Sequence, residues 1–104
     1  MKHPIWLAAV ASVLLTALAS AQAQDAKTLH LRALAATCAN CHGTEGRALQ
    51  GNEPLAGKDK DELYQKLMDF KSGRKPATIM HQLSKGYSDE QLKDIAAYFA
   101  AQKK

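Results

Sequence analysis

The stretch Cys38-Ala39-Asn40-Cys41-His42 constrains this chain more than any other part of it, because two closely spaced thiols followed at once by an imidazole serve very few purposes. At this spacing the thiols reach the two vinyl groups on one edge of a porphyrin and form thioethers with them. The adjoining ring then turns underneath, towards the iron. The pattern implies one covalently attached c-type haem, held by Cys38 and Cys41, with His42 as an axial ligand. A redox disulfide, or three of the four ligands of a zinc site, would use the same residue types. Neither is supported elsewhere: the chain has only 2 cysteines, no βαβ pattern surrounds them, and no second ligand pair with zinc-like spacing follows.

The beginning of the chain reads as an export signal. Lys2 and His3 form a short polar start, Ile5 to Ala19 is almost wholly apolar, and Ala21-Gln22-Ala23 offers a small-x-small cleavage pattern. Cleavage after Ala23 removes 23 of the 104 residues and leaves a domain of 81, residues 24–104. The apolar run is nearer the length of a signal core than the ~20 residues of a membrane span. The expected product is therefore periplasmic, without stable membrane insertion; a retained leader acting as an anchor is the alternative. Export agrees with the pentapeptide, since bacterial c-type haem is attached outside the cytoplasmic membrane. So short a domain has a small core, to which a buried cofactor adds stability. Without haem it is expected to be largely unfolded.

The formal net charge is +4; losing Lys2 with the leader leaves 13 basic against 10 acidic residues, or +3. Lys71, Arg74, Lys75 and Lys85 flank Met80, where a basic patch would suit transient docking to an acidic redox protein. Ordinary solvated lysines are the alternative. Nucleic acid would need a denser basic stripe with interleaved aromatics, so no nucleic-acid partner is expected.

Four helical segments can be read, and no alternating β-branched run competes with them. Asp25 can cap the first, in which Leu31, Leu34, Ala35 and Cys38 recur on one face, so that its last turn delivers the pentapeptide. From Gly43 to Gly57 four glycines and Pro54 predict a loop wrapped around the cofactor. Asp59 and Glu62 signal the start of a second helix, with Leu63, Leu67 and Phe70 on one face and Gly73 as its stop. After Pro76, residues 77–86 read as a short helix or turn that ends at a left-handed Gly86. Ser88 with Gln91 predicts a capping box for the last helix, whose stripe is Leu92, Ile95, Ala96 and Phe99. The first and last helices are expected to pack on each other. The fold class is thus all-α, one domain around one haem.

The iron position opposite His42 decides the chemistry: a filled site carries electrons, whereas an open one binds gases or peroxide. Met68 lies mid-helix among Leu67 and Phe70, as an ordinary core filler would. Met80 follows a proline break in a segment able to reach back across the haem, and is assigned as the second ligand, with His81 and His30 as competitors. The free nitrogen of His42 is expected to donate to a backbone carbonyl, for which Pro54 is the proposed source.

With these residues in view, Leu34-Ala35-Ala36-Thr37 leading into the pentapeptide, Gly43-Thr44, Phe70-Lys71-Ser72-Gly73, Thr78-Ile79-Met80, Lys85-Gly86-Tyr87-Ser88 and Ala96-Ala97-Tyr98-Phe99 resemble the small class I c-type cytochromes. Among these, the cytochrome subunit of flavocytochrome c sulfide dehydrogenase and the cytochrome c4 and c553 proteins are most similar. The resemblance implies an all-α fold, Cys38 and Cys41 as attachment sites, and His42 and Met80 as iron ligands. Such proteins often place one residue between the loop proline and Leu-Ala-Gly; here Pro54-Leu55-Ala56-Gly57 is contiguous. The expected function is a one-electron carrier rather than an enzyme, with redox proteins as partners, among them a flavoprotein sulfide dehydrogenase subunit or a terminal oxidase. The alternatives are the haem subunit of such a sulfide dehydrogenase complex, and a haem sensor or peroxidase-like protein with an open distal site.

Overall fold

The computed structural model describes the backbone of residues 5–104 and the side chains from residue 16 onwards. Residues 1–4 of the expected leader, and with them its polar start, lie outside the described residues. The chain divides into two units, Met1–His30 and Leu31–Lys104. Among the described residues there is no strand, in agreement with the all-α expectation. Nor is any of their helices long and apolar enough to cross a membrane.

Helix α1 spans Ile5–Ala35, a 3-10 turn Ala36–Cys38 follows, and a single turn α2, Ala39–His42, completes the pentapeptide. Asp25 therefore lies inside a helix and does not begin one. The reason is compositional: the alanines and leucines before it are strong helix formers, and extending a helix costs far less than nucleating one. The pentapeptide also sits beyond the end of α1, not on its last turn.

Helix α3, Lys60–Ser72, starts where the Asp59 carboxylate accepts from the Glu62 backbone N–H and stops at Gly73, which is left-handed at φ 80°. Helix α4, Met80–Lys85, is shorter than the segment expected, and its Gly86 stop has φ −73°, so the predicted left-handed turn is not used. Instead the Gly86 N–H returns to the carbonyls of Leu83 and Ser84, which closes the helix without a positive φ. Helix α5, Asp89–Ala100, opens on the full Ser88/Gln91 capping box.

The core is built from Ala35, Leu63, Leu92, Ile95, Ala96 and Phe99, with Leu67 and Met68 packed against it. All four members of the predicted α5 stripe are buried, and Leu92 keeps 1 % of its surface. Full burial of such a side chain contributes about 1.5–3 kcal/mol. The main partner of α5 is α3, which also packs on α4. Of the first helix, Ala35 and Leu34 at its end join the α5 stripe in the core.

The Gly43–Gly57 loop is irregular, as its composition requires, apart from one 3-10 turn at Thr44–Gly46. It is fastened from two directions. The Gly46 carbonyl accepts from the backbone N–H of Leu55 (2.8 Å) and Ala56 (3.1 Å), and the Gly57 N–H donates to the Phe99 carbonyl (2.9 Å). Gly46 is buried at φ +78°, and a Cβ there would stand 2.7 Å from the Phe99 ring, so only glycine fits without strain.

Candidate functional site

Short helical turns at residues 36–42 place two thiols and an imidazole close together on one wall of the Leu31–Lys104 unit. Cys38, Cys41 and His42 line a cavity of about 220 Å³, closed on its other sides by Leu67 of α3, Met80, Leu83 and Ser84 of α4, and Leu92 and Ile95 of α5. A smaller cavity of about 80 Å³ continues from it, walled by Leu55, Leu63, Phe70 and Phe99. Cys38, His42, Leu67, Met80 and Ile95 line both, so the two are lobes of one slot.

The polar details of the slot are few, and each has a cause. His42 Nδ1–H donates to the Glu53 carbonyl at 2.6 Å. This corrects the expected source, Pro54, by one residue. Pro54 restricts the backbone of the residue before it, and it is that residue's carbonyl that meets the ring. Thr37 and Tyr87, whose hydroxyls share a hydrogen bond of 2.7 Å, join the start of the pentapeptide to the turn before α5 at the slot's rim.

Burial pushes the Cys38 thiol above its ordinary pKa, outweighing the hydrogen bond from Thr37 that acts in the other direction. Cys38 is half-buried and Cys41 exposed, and both are free thiols. Among the described residues no three of His, Cys, Asp and Glu converge closely enough to share a metal ion.

The Glu53 carboxylate receives Lys58 Nζ at 2.6 Å and Lys66 Nζ at 2.8 Å, and these two bonds bring its pKa down to about 2. The basic patch expected around Met80 is partly neutralised. Lys71 pairs with Asp89 (2.7 Å), Arg74 pairs with Asp69 (2.6 Å), and Lys75 sits over the Phe70 ring. Asp69 is held below the ordinary carboxylate range, first by Arg74 and then by Gln65.

The slot suits a largely apolar group that carries some polar substituents. Leucine and isoleucine side chains make up much of its wall, while Ser84, 1 % exposed, has an Oγ with no hydrogen-bond partner among the described residues. A buried hydroxyl without a partner is costly, and a bound group with polar substituents would satisfy it. The donors also match a porphyrin iron: two thiols for attachment, with an imidazole and a thioether on walls of the same slot. Met68, by contrast, packs on the core and lines neither lobe. Of the two competitors for iron, His81 does not line the slot.

The sequence reading missed Glu53, Ser84 and the Thr37–Tyr87 pair. The residue before a proline is the one whose backbone that proline restricts, so Glu53 was detectable. Ser84 was not, because an orphaned hydroxyl is a property of the packed structure alone.

Residues 25–99 match the family described as cytochrome C oxidase, cbb3-type, subunit III. The chain is 38 % identical over 66 residues to the cytochrome subunit of sulfide dehydrogenase from Chlorobaculum tepidum, covering 64 % of this chain and 60 % of that protein. It is 42 % identical over 73 residues to cytochrome c4 of Pseudomonas aeruginosa, covering 69 % of this chain and 36 % of the relative. The chain thus spans less than two thirds of either relative's length. A solved cytochrome c4 from Acidithiobacillus ferrooxidans superposes with a TM-score of 0.59 at 34 % identity, covering 62 % of this chain and 37 % of the other. With a family match across most of its length, and with a slot carrying the attachment pentapeptide, the chain belongs to this family of cytochrome c domains, whose cofactor is covalently bound c-type haem.

Proposed function

We propose that this protein is a periplasmic one-electron carrier with a single haem c, attached through Cys38 and Cys41 and ligated at iron by His42 and Met80. The observation that supports it most is the shared wall: Cys38, His42 and Met80 all line both lobes of one slot. In this reading residues 1–23 are removed on export and residues 24–104 form the working domain. The family match, which begins at residue 25, is in keeping with that boundary.

Bound in the slot, the haem supplies an iron that alternates between ferric and ferrous forms and passes one electron through the haem edge. The chain's own residues do the rest. Leu67, Leu92 and Ile95 exclude water from the slot. The Glu53 carbonyl keeps the His42 proton on Nδ1, which leaves the other ring nitrogen free to face iron. Ile79 and Leu83, 53 % and 45 % exposed, give the slot an apolar outer rim where a redox partner can approach.

Intact-mass measurement of the exported protein is expected to show the chain from Gln24 plus one haem. The ferric protein is expected to show the weak far-red band of methionine bound to iron, and Met80→Ala to lose it. Carbon monoxide binding by the unaltered ferrous protein at neutral pH would overturn the Met80 assignment in favour of an open-site sensor or peroxidase-like protein.

A second reading is favoured by the likeness to the Chlorobaculum tepidum protein, named as the cytochrome subunit of a sulfide dehydrogenase. Here the same haem domain is the non-catalytic electron acceptor of a flavoprotein that oxidises sulfide. A flavoprotein that co-purifies with the chain from its native host supports this reading; a free monomer supports the soluble carrier, with a terminal oxidase among its partners.

A further inference from the structure

Three contacts meet on Glu53, and they join the haem ligand to α3. Its backbone carbonyl accepts from His42 Nδ1–H at 2.6 Å, while its carboxylate Oε1 accepts from Lys58 Nζ at 2.6 Å and from Lys66 Nζ at 2.8 Å. Lys66 belongs to α3 and lines the slot together with Glu53; Lys58 lies just before the start of that helix. Resting on the assignment of His42 as iron ligand, we propose that Lys58 and Lys66 are positioning residues for the haem histidine, which they orient by clamping Glu53 so that its carbonyl stays on the ring.

The mechanics follow from how little else holds this peptide. The loop's backbone hydrogen bonds on either side are made by Asn52 to Leu49 and by Leu55 and Ala56 to Gly46, and the Glu53–Pro54 peptide lies between them. Pro54 has no N–H to anchor the chain and confines Glu53 to extended conformations. Within that confinement the Glu53 side chain is the remaining handle on the direction of the carbonyl. Both lysines are partly covered, at 30 % and 22 % side-chain exposure, so the pairs are less screened than ion pairs in open solvent. Two bonds to one oxygen from different positions also fix that oxygen better than either bond alone.

The test uses the haem-loaded ferrous protein and reads solvent exchange of the His42 ring N–H by NMR. Lys58→Gln and Lys66→Gln are each expected to speed that exchange, and the double variant to speed it by about tenfold. Lys66→Arg, which keeps the charge-assisted bond, is expected to stay close to the unaltered protein. The backbone amides of Leu92 and Ile95 serve as the reference for global stability and are expected to exchange as before. Unchanged ring exchange in the double variant would overturn the clamp, and so would a rise matched equally at Leu92 and Ile95, which would mean general loosening. Failure of the ligand assignment would show separately, as the absence of haem-shifted His42 ring signals before any lysine is altered.

Discussion

At residue scale, the carboxylate of Glu53 lies against two ammonium groups, and that arrangement has a definite pH signature. Its pKa falls from the ordinary 4.5 to about 2, led by the bonds from Lys58 and Lys66. A carboxylate whose pKa is lower in the folded state stabilises the fold above its unfolded value and stops doing so as pH drops through the folded value. The contribution is therefore complete above pH 4.5 and disappears towards pH 2. Because the side chain is 44 % exposed, solvent screening limits the gain to about 0.5–1 kcal/mol. Urea titrations are expected to find Glu53→Gln less stable by that amount at pH 7, with the gap closing on acidification. The same residue shows the limit of reading sites from sequence. A carbonyl for His42 was foreseeable from ligand chemistry, but its owner depended on the packed conformation of the loop, in which Glu53 and not Pro54 meets the ring.

At element scale, the start and stop of α3 and the start of α5 were legible to the residue because their signals are local. Asp59, Gly73, and the Ser88/Gln91 box act within one helical turn, whatever the rest of the molecule does. Ser88→Ala removes both the hydroxyl that receives the Gln91 N–H and its half of the reciprocal box, and thermal unfolding is expected to report a loss of about 1 kcal/mol. Helices α1 and α4 were less legible. The extent of α1 is set by cooperative extension through the alanine- and leucine-rich residues before Asp25, while α4 begins at Met80, behind an Ile79 with no side-chain cap, so no short motif announced it. Its position is set by packing on α3.

At the scale of the whole molecule, the core is small and one side of it is the slot. Leu67, Leu92 and Ile95 each face the slot as well as the core, so part of their burial depends on what the slot holds. A domain of this size has little stability to spare. The Cys38→Ala/Cys41→Ala double variant, unable to attach haem, is expected to show no cooperative melting transition by circular dichroism, whereas the haem-loaded protein melts sharply. By itself the sequence determined the chemistry-bearing types and their local frames: the Cys38–His42 pentapeptide, the capped helices and the apolar stripe of α5, because spacing along a chain is enough to specify groups within a turn of each other. Only the tertiary structure decided that Met80 shares a slot with His42, that Glu53 supplies the ring's carbonyl, and that Lys71 and Arg74 are spent in ion pairs. Those outcomes depend on distances between segments far apart in the chain, which are set by how α3, α4 and α5 pack.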